Sequence, residues 1–304
     1  MKNRIGYCCI CLSLKDKKIT TNRGMVKKTF LEKGLEYASE ISLKNVKDLY
    51  EIIKFNGESD IKMYRMSSDI FPWMSEYEIK ELPDFNEIYL NLKKAGDLSK
   101  KLDQRLTFHP SHFCVLSSER EDVVKKSIKE LNQHAEIMDL MGLDQTHHYP
   151  INIHINNTKP SKEESAKRFI LNFSILSESA KSRIVVENDD KKSQFTPKDL
   201  YDMIYSKSGI PITYDYHHHR CNPDDLSEMD ALELACSTWK EGISPLTHFS
   251  DSRRNFEDPE CKDVAHSDWI WSEINTHGKN ISIELEVKMK DLALLKCLES
   301  KKII

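Results

Sequence analysis

Short apolar runs recur along this chain, and six of them end in a histidine or a carboxylate. These runs occupy residues 106–109, 151–154, 184–187, 212–215, 246–248 and 281–286, and a seventh, at 63–65, ends in Arg65. Apolar runs of this length predict buried strands. In a parallel barrel every strand points its carboxyl end to the same face, so side chains at those ends converge. The pattern therefore predicts a barrel with a shared site at one end.

Longer segments with helical spacing separate the strands. The predicted strands cover 4–10, 61–66, 106–109, 151–155, 184–187, 212–215, 246–249 and 281–286. The predicted helices cover 26–55, 89–102, 122–141, 223–239 and 292–298, and two more follow the capping signals Ser161-x-x-Glu164 and Thr196-Pro197. Eight strands alternating with helices predict an α/β protein, a single-domain TIM-type (β/α)8 barrel that spans 1–304.

A doubly wound open sheet is the competing fold. That fold usually carries a glycine-rich phosphate-binding turn after its first strand, whereas Gly6 here is followed by Tyr7-Cys8-Cys9-Ile10-Cys11. The chain has only 9 glycines, and no linker rich in proline or serine divides it. Its 304 residues suit a barrel, which uses about 250 residues before insertions. The sequence therefore favours one barrel domain.

Composition describes a soluble globular protein, with 39% hydrophobic and 31% charged residues. No segment approaches the roughly 18 apolar residues of a membrane span, and no signal-peptide core follows Met1, so we expect an intracellular protein, cytoplasmic or nucleoid-associated, without a membrane partner.

The 8 cysteines lie mostly in apolar runs, which favours reduced buried thiols over a thiolate metal site at Cys8-x-x-Cys11. The net charge of −4 does not indicate a generally basic surface, although bound cations can supply the field that phosphates require.

The strand ends and the turns after them supply a mixed set of imidazole and carboxylate donors. These are His109, His154, Glu187, Asp215, His218, His248 and Glu286. A lone histidine is more often a hydrogen-bonded core residue, but several at successive strand ends indicate a metal cluster. The donor types suit Zn²⁺ or Mn²⁺, and seven donors imply two or three ions, with Glu187 and Glu286 available to bridge them.

Neighbouring polar residues have less specific explanations. Asn188 and the two aspartates after it are expected to cap the next helix. His217 and His219 are expected to lie behind the ligands or in solvent. His266-Ser267-Asp268 either supplies a third ion or begins a helix.

The residues around these strand ends resemble those of the ultraviolet damage endonucleases over nearly the whole chain. The matching segments are Arg4-Ile5-Gly6-Tyr7, Thr20-Thr21-Asn22-Arg23, Tyr64-Arg65-Met66-Ser67-Ser68-Asp69-Ile70-Phe71-Pro72, His109-Pro110-x-x-Phe113, Asn152-Ile153-His154-Ile155, Glu187-Asn188-Asp189-Asp190-Lys191, Asp215-Tyr216-His217-His218, Asn222-Pro223-Asp224-Asp225, His266-Ser267-Asp268 and Glu286-x-Lys288-x-Lys290. Each segment alone is a weak signal, but together and in order they are specific.

The resemblance implies a barrel similar to the type IV abasic-site endonucleases and a nuclease that incises damaged double-stranded DNA on the 5′ side of a lesion. It implies up to three divalent ions, most often Mn²⁺, with Zn²⁺ or Mg²⁺ as alternatives, and neither a nucleophilic side chain nor a nucleotide cofactor. The implied metal ligands are His109, His154, Glu187, Asp215, His218, His248, His266 and Glu286, of which Glu187, Asp215, His248 and Glu286 would be catalytic. The implied DNA contacts are Tyr7, Cys11, Arg65, Ser67, Ser68, His112 and Phe113. We also expect a monomer.

The chain departs from the family pattern at a few positions. Leu246 stands where the family usually has a lysine, two residues before the ligand His248, which puts that lysine's contribution to the metal site in doubt. His112 replaces a glutamine of the loop that enters the gap left by flipped bases. Cys11 replaces an asparagine, and Asn156-Asn157 replaces a glycine pair.

Other functions remain open at this point. A broad abasic-site endonuclease would use the same residues. A metal-dependent sugar isomerase or epimerase shares the barrel and the ligand types but needs no wedge loop such as His112-Phe113. A non-catalytic DNA-binding relative is disfavoured because all the proposed ligands are present.

Overall fold

The protein is described by a computed structural model covering residues 3–303. Its eight strands are β1 Arg4–Cys8, β2 Met63–Arg65, β3 Arg105–Thr107, β4 Ile151–Ile153, β5 Ile184–Glu187, β6 Ile212–Asp215, β7 Leu246–Phe249 and β8 Ser282–Leu285. Every neighbouring pair is parallel, in the order β3-β2-β1-β8-β7-β6-β5-β4. A parallel bridge between Phe108 and Ile151 joins the two outer strands. The predicted barrel is confirmed, and β5, β6 and β7 have the predicted bounds.

Helices connect the strands and cover the outside of the barrel. They are α1 Lys27–Glu58, α2 Phe85–Lys101, α3 Glu121–Leu140, α4 Lys162–Phe173, α5 Glu178–Lys181, α6 Pro197–Leu200, α7 Ser206–Ser208, α8 Tyr216–Cys221, α9 Glu228–Ser237, α10 Arg253–Phe256 and α11 Lys290–Glu299. Short 3₁₀ turns occupy Leu12–Lys17, Met74–Glu76 and Ile79–Glu81, and a π-helical turn occupies Tyr201–Tyr205. Within residues 3–303, none of the helices has the length and apolarity needed to cross a membrane.

Capping residues set several helix starts. The hydroxyls of Ser161 and Thr196 accept the backbone N–H groups of Glu164 and Asp199, as the capping signals predict. The helix predicted from 223 begins later, at Glu228, because the preceding serine caps it. No helix begins at Ser267-Asp268 in the described part of the chain, so the capping alternative for that segment is wrong.

The barrel interior has two layers of different chemistry. Met63, Val185 and Leu246 each stand two residues before a polar residue of their strand, so they share its inward face. Together with Trp239 they form a separate apolar cluster, here called the barrel base. The carboxyl ends of the strands, here called the barrel mouth, carry the candidate ligands.

Candidate metal centre

Glu187 lies at the centre of the barrel mouth. It is the last residue of β5 and is fully buried. Its Oε2 lies 3.1 Å from His109 Nε2 and 3.5 Å from His154 Nε2. Its Oε1 lies 3.0 Å from His248 Nδ1 and 3.3 Å from His218 Nδ1. Each carboxylate oxygen therefore faces two imidazoles, which is the arrangement expected of a bridging ligand.

Two groups of donors lie close enough to hold metal ions. One group is His109, His154 and Glu187, and the other is Glu187, Asp215 and His248; within each group the ligand atoms lie within 4.8 Å of one another. Asp215 Oδ2 is buried and has no hydrogen-bond partner among residues 3–303. A buried carboxylate oxygen without a donor is costly unless a cation compensates it. These residues therefore fit a pair of divalent ions that share Glu187.

The remaining predicted ligands lie beside these two groups. Glu286 Oε1 is 3.3 Å from His248 Nδ1, and Glu286 Oε2 is 3.9 Å from His266 Nδ1. The rings of His218 and His266 are 6.1 Å apart. The structure thus brings all eight predicted ligands to the barrel mouth. A third ion at His266 stays a prediction.

Local folding explains how Asp215 and His218 reach the same site. Asp215 ends β6 and also caps α8, where its Oδ1 accepts the backbone N–H of His218 at 2.7 Å. Asn188 holds this turn in place: its Oδ1 accepts the Asp215 N–H at 2.8 Å, and its Nδ2 donates to the Asp215 carbonyl at 3.0 Å. The expectation that Asn188 caps the next helix is therefore wrong, because Thr196 caps α6 instead.

Charge in the cluster is unevenly distributed in the absence of metal. Burial alone would raise the pKa of Glu187, but His248 and His154 outweigh it and hold that pKa well below its usual value. Burial lowers the histidine pKa values, yet Glu187 raises that of His154 to about 9 and that of His248 to about 10. For His109, burial prevails and its pKa is lowered. The carboxylates therefore favour protonated imidazoles, whose positive charge compensates the buried negative charge. A divalent cation would supply that positive charge once the protons leave.

Comparison with known proteins shows to which family the chain belongs. The family model described as "UV-endonuclease UvdE" matches residues 3–303. The chain belongs to the UV-endonuclease UvdE family. A solved structure named SacUVDE superposes with a TM-score of 0.85 and 30% identity, over 99% of this chain and 98% of that one.

Curated relatives agree with this family membership. A "UV-damage endonuclease" from Schizosaccharomyces pombe is 30% identical over 96% of this chain, which spans 50% of that longer protein. A "UV DNA damage endonuclease" from Clostridium perfringens is 30% identical over 98% of this chain and 71% of the relative. The family match therefore spans the positions of all eight predicted ligands.

More distant structures share only the barrel. Endonuclease IV from Thermus thermophilus has a TM-score of 0.54 and 13% identity, over 98% of this chain and 99% of that one. A 3-keto-D-glucoside 4-epimerase from E. coli has a TM-score of 0.59 and 10% identity, over 98% of both chains. The fold alone therefore does not separate a nuclease from a sugar epimerase, whereas the sequence family does.

Four of the predicted DNA contacts in this UvdE-family chain are buried, namely Tyr7, Cys11, Arg65 and Ser67. The Tyr7 hydroxyl donates to Asn56 Oδ1 at 2.9 Å, and Cys11 Sγ lies 3.6 Å from an oxygen of Asp291. Arg65 is only 8% exposed. Direct DNA contact by Tyr7, Cys11 and Arg65 stays a prediction, and the burial of these side chains does not favour it. Their place in the sequence next to strand ends could not reveal how deep each side chain lies.

The two serines predicted to contact DNA make hydrogen bonds within the protein instead. Ser67 is buried, and its hydroxyl accepts the backbone N–H of Asp69 at 3.2 Å. Ser68 is half-buried, and its hydroxyl donates to the His109 carbonyl at 2.6 Å. The burial of Ser67 does not favour direct DNA contact, and the Ser68 hydroxyl is bonded to the turn that carries the candidate ligand His109, so both contacts stay predictions.

His112 and Phe113 protrude from the loop after β3. Their rings lie 4.0 Å apart, and Phe113 is 75% exposed. Both residues line a cavity of about 820 Å³, together with Phe71 and Trp73. An exposed aromatic pair beside the ligand His109 is consistent with the predicted wedge.

Arg65 and Glu284 form an ion pair beneath the ligands. Arg65 Nη2 lies 2.6 Å from Glu284 Oε2 and 2.6 Å from Glu286 Oε1. Glu284 Oε2 lies 3.2 Å from His248 Nε2. Glu284 was not predicted as a site residue. It lies in β8, and Glu286 continues the same extended backbone one residue past the strand, where its N–H donates to the Phe249 carbonyl at 2.9 Å, so both are on the same face.

Proposed function

We propose that this chain is a metal-dependent UV damage DNA endonuclease, which hydrolyses the phosphodiester backbone on the 5′ side of cyclobutane dimers and 6-4 photoproducts. The observation that carries the proposal is the cluster of four imidazoles around Glu187 at the barrel mouth. The family match over residues 3–303 and the names of the curated relatives support the same activity.

The chain's own residues divide the work of such a reaction. His109, His154 and Glu187 would hold one ion, Glu187, Asp215 and His248 a second, and His218, His266 and Glu286 a third. Bound there, divalent ions supply a polarised phosphate, an activated water and a stabilised leaving oxygen. Glu187 spans the cluster because each of its oxygens faces two histidines. Phe113 and His112 would fill the gap that a displaced lesion leaves in the duplex.

The donor set suits Mn²⁺ as the resident ion, with Zn²⁺ and Mg²⁺ as alternatives to be compared. Each candidate ligand is an imidazole or a carboxylate, and thiolates, which select softer metals, take no part in the two close groups. The proposal includes two or three ions per chain, no nucleotide cofactor, an ATP-independent excision pathway, a monomer and an intracellular setting in contact with DNA. The free state of all eight cysteines is consistent with that setting.

The test is incision of an end-labelled duplex that carries one cyclobutane dimer, with Mn²⁺ present. The length of the labelled product identifies cleavage on the 5′ side of the lesion. Parallel duplexes with a 6-4 photoproduct, an abasic site or no lesion measure the breadth of the activity. Incision at the abasic site alone would favour the broader abasic-site endonuclease. No incision of any duplex by metal-loaded protein, together with turnover of a ketose, would overturn the proposal.

A further inference from the structure

We propose that Asn152 is a positioning residue of the metal centre: its side-chain amide holds the Glu187 carboxylate in the orientation that bridges two ions. This inference rests on the metal centre of the proposed function. Asn152 is the middle residue of β4 and is 1% exposed. Its Nδ2 donates to Glu187 Oε2, the oxygen that also faces His109 and His154. Because a carboxylate can only accept, the amide must present its N–H to Glu187 rather than its oxygen.

Asn152 differs in kind from the other groups that hydrogen-bond to the Glu187 carboxylate. Within residues 3–303, those other groups are the rings of His109, His218 and His248, all of them candidate ligands. An ion placed between an imidazole and the carboxylate takes the place of their hydrogen bond. Each carboxylate oxygen has two lone pairs, so Oε2 can accept the Asn152 N–H and still bind an ion. The amide can therefore hold Glu187 both with and without metal.

The backbone of Asn152 joins the strands that carry the first group of ligands. Its N–H donates to the Phe108 carbonyl at 2.9 Å, across the junction between β3 and β4, and Phe108 directly precedes His109. Its side chain reaches Glu187 on β5. One residue therefore connects the three strands that lead to His109, His154 and Glu187.

The amide oxygen of Asn152 indicates that this side chain is not placed for stability. Asn152 Oδ1 is buried and has no hydrogen-bond partner among residues 3–303. A buried acceptor without a donor lowers stability, and an apolar side chain would avoid that cost. Val185, the residue paired with Asn152 in the register of β4 and β5, is apolar and belongs to the barrel base. The position therefore favours an amide because of its N–H, which Glu187 accepts.

The first test compares leucine substitutions at two buried asparagines. Asn152→Leu removes the donor to Glu187 and keeps the branched shape of the side chain. Asn56→Leu is the matched control, because Asn56 is fully buried on α1, its Oδ1 accepts the Tyr7 hydroxyl at 2.9 Å, and its Nδ2 has no partner among residues 3–303. Calorimetric titration of the metal-free full chain with Mn²⁺ should show affinity about 10- to 100-fold weaker for Asn152→Leu, the range for partners that touch a ligand, and unchanged for Asn56→Leu.

The stability of the two variants should follow the opposite order. Asn56→Leu leaves the Tyr7 hydroxyl without its acceptor, whereas Asn152→Leu removes an acceptor that already lacks a partner. The urea midpoint of the metal-free protein should therefore fall further for Asn56→Leu, so that weaker Mn²⁺ binding by Asn152→Leu cannot be a consequence of lower stability. Unchanged Mn²⁺ affinity in a folded Asn152→Leu protein, or an equal loss of affinity in Asn56→Leu, would overturn the proposal.

A crystal structure of the Mn²⁺-loaded wild-type protein tests the proposal even if Asn152→Leu does not fold. The Asn152 amide nitrogen should lie about 2.7–3.2 Å from a Glu187 oxygen while that carboxylate binds the ions. A Glu187 carboxylate that binds the ions without contact to Asn152 would count against the proposal decisively. None of these measurements uses DNA, so a failure of the incision assay is distinguishable from a failure of this inference.

Discussion

The barrel mouth and the barrel base both lie inside the barrel, but the mouth buries charged side chains and the base buries apolar ones. At the mouth, carboxylates and histidines compensate one another around Glu187. At the base, Met63, Val185, Leu246 and Trp239 pack as apolar side chains. Burying charge is expensive and burying apolar surface is favourable, so the base stabilises the fold on which the mouth depends.

Two buried arginines also differ in the groups that they contact. Arg65, at the mouth, contacts the carboxylates of Glu284 and Glu286. Arg105, which begins β3 and is fully buried, donates instead to the backbone carbonyls of His147, His148 and Ser244 at 2.7 to 3.0 Å. One guanidinium organises ligands and the other joins loops to the strand. We therefore expect mouth substitutions to change metal binding and base substitutions to change stability.

Glu187→Gln should have the largest effect. A neutral amide cannot compensate four imidazoles or bridge two ions, so incision should fall by at least about 10³-fold, since a partner one shell further out is worth 10- to 100-fold. Bound metal measured by mass spectrometry should fall with it. Full metal content together with normal incision would contradict the assignment of Glu187 as the bridging ligand.

Arg105→Met should lower stability while leaving the mouth intact, because the Arg105 guanidinium lies 5.5 Å from the ring of Trp239 in the barrel base. It leaves three partly buried carbonyl oxygens without their donor. The loss of a buried donor costs about 1–3 kcal/mol, so we expect a fall in the free energy of unfolding of about 3 kcal/mol in total. Urea denaturation measures the loss, and Mn²⁺ stoichiometry of the folded protein should be unchanged. A reduced Mn²⁺ stoichiometry with an unchanged free energy of unfolding would show that Arg105 serves the metal centre rather than the stability of the fold.

Metal affinity at the mouth should rise with pH. The pKa values of about 9 for His154 and about 10 for His248 are raised, so both rings are protonated at pH 7 without metal and must lose protons to bind it. Mn²⁺ affinity should therefore increase by about tenfold or more per pH unit from pH 6 to 9 and level off above 10. The stability that these protonated rings add to the metal-free protein has the opposite trend: it is complete below pH 6.5 and is lost as pH rises through 9 to 10. Titration in buffers of different ionisation enthalpy counts the released protons, and none released would refute the assignment.

Leu246→Lys should have the smallest effect and tests the departure from the family pattern. An amine placed among Met63, Val185 and Trp239 should lower stability by about 1–3 kcal/mol, whereas Leu246→Met should cost less than about 1.5 kcal/mol. If the lysine extends to the mouth, the ratio of activities with Mn²⁺, Zn²⁺ and Mg²⁺ should change. An unchanged ratio would show that Leu246 has no influence on metal choice.

Sequence pattern was sufficient for the features that depend on strand direction. Runs ending in His109, His154 or Glu187 predicted both the barrel and the convergence of its ligands, because parallel strands leave little freedom in where their ends lie. The depth at which each side chain is buried could not be predicted in the same way. Tyr7 and Arg65 stand beside strand ends as DNA contacts would, yet long-range partners, Asn56 and Glu284, hold them inside.

The junction between β3 and β4 has few hydrogen bonds, so metal bound beside it would help to hold the barrel closed. Other neighbouring strands pair over two to four register positions, whereas in the described chain this junction has one bridged pair, Phe108 with Ile151. His109 and His154 follow directly on its two sides, and both face Glu187. An ion held by these two histidines would link the edges where the barrel has least hydrogen bonding, so we expect removal of the ion by a chelator to open the barrel first between β3 and β4.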